Sequence, residues 1–386
     1  MNDTMTYADS FAKSFAMQSD FLAFLREMDN RSHWKREAAN SLQLVALQEN
    51  DPLTRMLRSQ YGEEDRAAII DDTMENTGLL LRVRDEVTPV RSCALKTVLE
   101  RARISGAALA KVSKPDLADI LNRCLQIAAG KALLWYSDGK ISAVHAGDER
   151  DYAVLEIPDL FEHTVRYLNA NYPGHTFLGG DYDHATVTAV WALTGQTALV
   201  DTYTRALAAH DLLRPGETEI RPAIRLTTSN TGVSGANLYP LLLNGVEYVG
   251  IPLGNPIREE HKAGADLEKF DNNLERLFAQ YDEGLQALSR LLDVELLHPA
   301  NALLGAMKEL GIPKRLAMEA VEQYRATHDE TMGDTAHSLY CAMAETVFYL
   351  QRDGASGSRV AAMEEIVSRG LYLRWTQFDI AGEWKW

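Results

Sequence analysis

The segment from Gly216 to His261 constrains the fold of this chain more than any other. Apolar residues fill an extended run at 220–226, a turn rich in Ser, Thr, Asn and Gly follows, and a second apolar run covers 238–243. Asn244-Gly245 then closes a tight turn, because both residues tolerate the positive φ that a two-residue hairpin needs. The segment therefore predicts consecutive antiparallel strands at the centre of a sheet.

Further strand signals surround this segment. Leu133 to Tyr136 and Ile141 to His145 flank a Ser-Asp-Gly-Lys turn, which predicts a second hairpin. Short β-favouring runs at 79–84 and 185–193 add strands, whereas the pattern at 197–213 fits a strand or a helix equally well. The sequence thus predicts an α+β protein whose central domain, residues 77–263, contains a mixed, mainly antiparallel sheet.

Helical patterns flank the predicted sheet on both sides. Residues 1–76 are interpreted as a helical N-terminal region, with two helices in 5–29 and more helix in 35–60. Residues 264–386 are interpreted as a C-terminal helical region that begins with a long amphipathic helix over 267–292. Its aromatic tail is expected to dock onto the fold or onto a second subunit, since apolar rings are costly to leave in water. The tail residues are Tyr372, Trp375, Phe378, Trp384 and Trp386.

Composition indicates a cytoplasmic, soluble protein. The three cysteines are far apart and form no C-x-x-C pair, which favours a reducing compartment. The N-terminus lacks the basic and apolar regions of a signal peptide, and no run approaches eighteen apolar residues. We therefore expect no membrane association, and we predict no cofactor.

Charge is distributed unevenly along the chain. Residues 1–150 hold 20 Lys and Arg against 22 Asp and Glu, so the other 19 and 33 give the remainder a net charge of about −14. Within the first part, residues 82–131 hold ten basic side chains and five acidic ones. A basic face on an acidic body is compatible with a confined track for a phosphate backbone.

This basic segment gives the leading candidate for a functional site. If the 79–84 strand packs on the following helix, its cations would form a groove beside two aromatic side chains, which would favour single-stranded nucleic acid. A solvated face with core aromatics is the alternative, and another is that the arginines pair with the acidic C-terminal region. The predicted nucleic-acid-binding residues are Arg82, Arg84, Arg91, Lys96, Arg101, Arg103, Trp135 and Tyr136.

Two clusters contain residue types that bind metals. His175, Asp181, Asp183 and His184 crowd imidazole and carboxylate ligands into ten residues, although a loop of Asx-turns with exposed histidines is the favoured interpretation. The second cluster, Glu330, Asp334, His337 and Cys341, has the spacing of one helix face, but a solvated helix start also explains its acids. No catalytic residue is predicted from either cluster.

Several turn motifs resemble a known family. The run 214–223, the Thr-Ser-Asn-Thr-Gly of 228–232 and the strand that closes with Asn244-Gly245 are similar to the phage/plasmid-like protein family, domain of unknown function 932. The hairpin at 133–145 resembles the earlier strand pair of that family, so the likeness covers residues 78–262. It implies a mobile genetic element and no established activity.

This context suggests a role in DNA transactions such as recombination, through single-strand binding or annealing. The alternative is a non-enzymatic anti-defence or regulatory factor that binds a protein through its acidic C-terminal region. A metal-dependent enzyme is the third hypothesis, and a homo-oligomer stays open in each case.

Overall fold

The computed structural model describes residues 5–59, 64–148, 151–212, 220–244, 250–262, 264–355, 357–382 and 386. Its strands are β1 (Ala12–Phe15), β2 (Ser32–Ala38), β3 (Leu42–Ala46), β4 (Leu79–Val83), β5 (Glu86–Pro89), β6 (Lys131–Ser137), β7 (Lys140–Ala146), β8 (Thr176–Asp183), β9 (Val187–Ala192), β10 (Ile220–Thr228), β11 (Ala236–Asn244), β12 (Gly250–Pro252), β13 (Ile257–Glu259), β14 (Glu295–Leu296) and β15 (Asp334–Thr335). Its helices are α1 (Gln18–Asn30), α2 (Pro52–Ser59), α3 (Glu64–Glu75), α4 (Leu95–Arg101), α5 (Lys114–Gln126), α6 (Ile157–Asn171), α7 (Asp201–Ala209), α8 (Leu267–Arg290), α9 (Pro299–Leu310), α10 (Lys314–Thr327), α11 (Ala336–Arg352) and α12 (Gly357–Ser368).

The largest sheet has seven strands in the described part of the chain. Its order is β1-β8-β9-β10-β11-β12, and β13 also pairs with β11. Two smaller sheets, β2-β6-β7 and β3-β4-β5, are bridged where Val90 meets Ile141. Every named strand pair is antiparallel. The predicted α+β class, with a central antiparallel sheet and helical flanks, is confirmed.

The two hairpin signals in the sequence have different outcomes. Asp138 and Gly139 have φ angles of 47° and 77°, so the predicted turn between β6 and β7 is confirmed. β11 pairs with β12 as a hairpin requires, with Leu242 opposite Ile251. The turn residue Gly245 itself lies outside the described residues.

Helices pack on both faces of the large sheet, α8 against Leu238 and Leu242 and α12 against Tyr239 and Leu241. The predicted long helix is α8, which starts where the side chain of Asp266 accepts a hydrogen bond from the Lys269 amide at 2.8 Å. Phe270, Leu274 and Leu277 follow at helical spacing and are fully buried. A second core lies between the two small sheets and helices α4 and α5. No helix in the described ranges is long and apolar enough to cross a membrane.

The N-terminal region departs from the prediction. Strand β1 stands where the first helix was expected, and β2 and β3 occupy 32–46. Phe11 and Phe15 are four residues apart, and this spacing puts two side chains on one face of a strand as well as of a helix. Pairing with other strands decides the outcome: β1 pairs with β8, β2 with β6 and β3 with β4. The prediction of helix in 35–46 is therefore wrong.

Contacts within the hydrophobic core and at the C-terminal tail join the three predicted regions of the chain. One apolar cluster joins residues from Phe11 to Phe378, so it includes side chains from all three predicted regions. Trp375 is buried and donates its indole N–H to the Gly370 carbonyl at 3.0 Å. Docking of the tail is confirmed for Trp375 and Phe378, while Trp384 lies outside the described residues. The domain boundaries themselves stay predictions.

Candidate functional site: an acid-lined cleft

Two of the six predicted nucleic-acid-binding cations are buried. The Arg91 guanidinium donates to the Tyr7 carbonyl at 3.0 Å and to the Ser142 hydroxyl at 3.1 Å, and its side chain is fully enclosed. Arg101 is also buried and donates to the Ala129 carbonyl. Because a phosphate backbone approaches from solvent, neither side chain is placed to contact one.

The other predicted cations are more exposed, but most of them have protein partners. Lys96 Nζ donates to the Gly232 carbonyl at 2.7 Å. Arg84 Nη2 lies 3.1 Å from Glu37 Oε2, and Arg82 Nη1 lies 3.5 Å from Gln43 Oε1. Arg103 is exposed.

The two predicted aromatic residues lie on neighbouring positions of β6 and are buried. Cross-strand register places Trp135 opposite Trp34, with ring centroids 5.7 Å apart, and Tyr136 opposite His33, at 4.6 Å. Successive strand residues face opposite sides of a sheet, so the two rings do not share a surface. The structure therefore does not bring the eight predicted residues onto one exposed groove.

The strongest metal candidates do not gather around a common point. His175 and His184 flank the two ends of β8, which is eight residues long, so about 25 Å separates them. Asp181 accepts a hydrogen bond from the Ser14 hydroxyl at 2.5 Å, and Asp183 accepts from the Ala185 amide at 2.7 Å. Within the described ranges, no group of three His, Cys, Asp or Glu side chains has the geometry of a metal site. The described residues therefore give no support to the metal alternative for this segment, which the sequence pattern did not favour.

The favoured interpretation of that segment, a loop of Asx-turns with exposed histidines, is correct only in part. Asp183 does form an Asx-turn, because its carboxylate accepts from the amides of both Ala185 and Thr186. However, the segment is a strand, and His184 is buried, with its Nε2 3.1 Å from the Ala8 carbonyl. This burial lowers the pKa of His184 to about 3.

A cleft of about 470 Å³ lies between α7, α10 and α11. Part of its wall is the helix face that the sequence indicates at Asp334, His337 and Cys341. Thr335 caps α11 by accepting a hydrogen bond from the Ser338 amide at 3.3 Å, which fixes where that face begins. The lining residues are Tyr203, Leu207, His210, Leu212, Gln323, Tyr324, Thr327, His328, Asp334, Thr335, His337, Ser338, Cys341, Ala342 and Glu345.

Two carboxylates give the cleft its charge. Asp334 is half-buried and accepts hydrogen bonds from the Tyr324 hydroxyl at 2.6 Å and from the Thr335 amide at 2.7 Å. Glu345 is exposed and accepts from the Tyr349 hydroxyl at 2.6 Å. No Lys or Arg is among the described residues that line the cleft. The cleft is therefore anionic at neutral pH.

Aromatic and imidazole rings form much of the remaining wall. The hydroxyl of Tyr203 lies 2.6 Å from His337 Nε2, and both side chains are buried. Burial lowers the pKa of His337 to about 4 and raises the pKa of Tyr203, so both groups are neutral at pH 7. The ring of His328 stacks on Tyr324 with centroids 4.5 Å apart.

The sequence signals only part of this cleft. Asp334, His337 and Cys341 follow helical spacing, but Tyr203 and His210 lie on or next to α7, where the pattern does not separate helix from strand. In the sequence pattern, Tyr324 cannot be distinguished from an apolar core residue of its helix. These residues meet only because α7, α10 and α11 pack together, and no local pattern encodes that packing.

Comparison of the chain with family models, with curated proteins and with solved structures gives no match. The resemblance of residues 78–262 to the phage/plasmid-like family, and the mobile-element context that it implies, stay predictions.

Proposed function

We propose that this chain is a non-enzymatic binding protein that holds a cationic group of a protein partner, a Lys or Arg side chain, in the cleft between α7, α10 and α11. One observation carries the proposal: the carboxylates of Asp334 and Glu345 line a cleft whose described wall contains no Lys or Arg. An unneutralised pair of carboxylates attracts a cation and repels an anion.

The surroundings of the carboxylates suit a basic side chain. Tyrosine hydroxyls donate to both Asp334 and Glu345 and so restrict their orientation before a ligand arrives. A charge-assisted hydrogen bond to such a carboxylate contributes about 1.5–3 kcal/mol.

The other polar groups of the cleft favour binding over covalent chemistry. Burial raises the pKa of the Cys341 thiol to about 12, so the side chain is a protonated thiol at neutral pH. The thiolate is the nucleophilic form of cysteine, and a thiol with a raised pKa is inert. His337 is neutral and is held by the Tyr203 hydroxyl. This arrangement supplies hydrogen bonds and negative charge.

Titration calorimetry with short peptides tests the proposal. An Arg-containing peptide should bind, and a Glu-containing peptide of equal length should not. Asp334→Asn and Glu345→Gln should each weaken binding about tenfold, because each removes one charge-assisted contact. Glu309→Gln is the matched control, since Glu309 is exposed on α9 and does not line the cleft.

Two outcomes would contradict the proposal. The first is equal affinity for the Arg-containing peptide in the wild type and in both cleft variants. The second is tighter binding of a single-stranded oligonucleotide whose affinity falls steeply with salt, since that dependence is typical of phosphate contacts. The second result would support the nucleic-acid hypothesis through exposed cations such as Arg103.

A further inference from the structure

Three exposed apolar side chains lie on backbone segments that are neighbours in the fold. Leu297 is 74% exposed, Met332 is 82% exposed and Ile380 is 48% exposed, although they lie in three separate segments. We call them the apolar patch. Single exposed apolar residues are ordinary, but a group assembled from distant segments is typical of an interaction site.

Backbone contacts hold the three segments of the apolar patch together. β14 pairs with β15 so that Leu296 is opposite Asp334, which brings Leu297 next to the Met332 segment. The amide of Leu297 donates to Asp379 Oδ2 at 3.0 Å, and this bond fixes the Ile380 segment alongside. Asp334 of this strand pair also lines the cleft, so the segments that carry the apolar patch lie next to the cleft.

The N-terminal half of the chain has a surface of complementary chemistry. Ile127, at the end of α5, is 86% exposed, the largest exposed fraction among the large apolar side chains of the described residues. Arg123 lies four positions before it and Lys131 four positions after it, and both are exposed. Within the described part of the chain neither cation forms an ion pair. We call these three residues the basic knob.

We propose that the occupant of the cleft is a second copy of this chain, whose basic knob places Arg123 in the cleft that Asp334 and Glu345 line, while Ile127 covers the apolar patch. This inference rests on the proposed function and names its partner. Charge complementarity selects the partner: the knob carries cations without an ion pair among the described residues, and the described lining of the cleft carries carboxylates and no Lys or Arg.

Such a contact joins two different surfaces, so it is heterologous. Each copy keeps a free cleft at one end and a free knob at the other, so association gives a ring where the rotation closes and an open chain of copies where it does not. The chain carries a net charge of −16, which opposes association in general. Contact through the basic knob depends on attraction between opposite charges, so it should weaken as salt screens them.

Sedimentation-velocity analysis of charge-reversal variants tests this inference. The wild type should associate as its concentration rises at low salt. Arg123→Glu and Glu345→Lys should each lower the association constant at least about tenfold, because each places like charges together. The double variant should restore association, since it rebuilds the pair with reversed polarity. Arg55→Glu, at an exposed arginine of α2 outside the basic knob, is the matched control.

Each outcome is decisive. A wild type that stays monomeric at all concentrations overturns the inference, and so does association that both single variants leave unchanged, or a double variant that fails to recover. Binding of an Arg-containing peptide by a monomeric wild type would overturn the self-association alone and leave the proposed function standing. A wild type that binds no Arg-containing peptide but still associates with the expected dependence on charge would overturn the proposed function and leave the self-association standing.

Discussion

At the scale of single residues, burial decides what a charged side chain does, and the sequence does not encode burial locally. Lys140 and Arg91 resemble surface cations in the sequence, but both side chains are fully enclosed. Lys140 Nζ lies 2.7 Å from Asp9 Oδ1 and also contacts Asp72. Burial by itself raises the pKa of Asp9, but the hydrogen bond and charge of Lys140 outweigh this effect and lower it. The network ties the N-terminal segment to α3 and β7.

Lys140→Met should destabilise the protein by about 3–5 kcal/mol, because it leaves the buried carboxylate of Asp9 with less compensation. Equilibrium unfolding in urea measures the change as a lower midpoint at unchanged slope. Lys262→Met is the matched control: Lys262 forms its ion pair with Glu260 at the surface, so the midpoint should hardly move. Equal shifts in the two variants would show that the Lys140 network contributes no more than a surface pair.

At the scale of elements, local chemistry predicts turns better than it predicts which apolar runs are helices. The Asp138-Gly139 turn follows from two residues that tolerate positive φ, and the caps of α5 and α8 follow from Ser113 and Asp266. The strands of the N-terminal region could not be identified in the same way. A strand such as β2 is stabilised by β6, almost a hundred residues away, so its signal lies in pairing and not in its own sequence.

One buried ion pair fixes an element to the sheet. Arg225 of β10 pairs with Glu364 of α12, and its guanidinium lies 4.3 Å from the centre of the Tyr239 ring. Burial lowers the pKa of Arg225 to about 10, although nearby Tyr239 and Glu365 favour its charged form. The pair therefore holds α12 on the second face of the sheet at the cost of desolvating two charges.

Glu364→Gln should destabilise the protein by about 3–5 kcal/mol, because it leaves a buried guanidinium without a counter-charge. The double variant Arg225→Met with Glu364→Leu should be more stable than Glu364→Gln, since no charge stays buried. A double-mutant cycle with each single change, followed by chemical unfolding, measures the coupling. Additive single effects would mean that the two side chains do not depend on each other.

At the scale of the whole molecule, the described contacts do not neutralise the basic excess of residues 82–131 with the acidic C-terminal region. The interpretation that the arginines of 82–131 pair with the acidic C-terminal region is wrong for the contacts described. Arg84 pairs with Glu37, and Arg91 contacts Tyr7, Ala8 and Asp9. Lys96 bonds to a backbone carbonyl. The C-terminal carboxylates therefore face other groups or solvent, and the cleft is where two of them line one concave surface.

Acid should destabilise the molecule through its buried histidines. Burial lowers the pKa of four of them in the folded state: His145, His184, His261 and His337. An unfolded histidine titrates near pH 6.5, so below that pH the unfolded chain binds protons that the folded chain does not. The stability from these four groups is complete above about pH 6.5 and is lost as the pH falls towards 4.

Glu156 has the opposite effect on stability. Burial and the neighbouring carboxyl of Asp29 raise the pKa of Glu156 to about 7, so near pH 5.5 the folded chain holds a proton there that the unfolded chain has released. Near pH 5.5, the three histidines whose pKa is lowered to about 4 or about 3, less the proton on Glu156, leave about two more protons on the unfolded chain. The free energy of unfolding should therefore fall by roughly 3 kcal/mol per pH unit, and His145, whose pKa is also lowered, adds to this slope. Urea unfolding at several pH values between 7 and 5 gives this slope.

His261→Phe should reduce the slope by the contribution of about one proton. His33→Phe, at an exposed position, is the matched control. Unfolding free energies that do not change over this range would mean that these imidazoles take up protons without unfolding the chain.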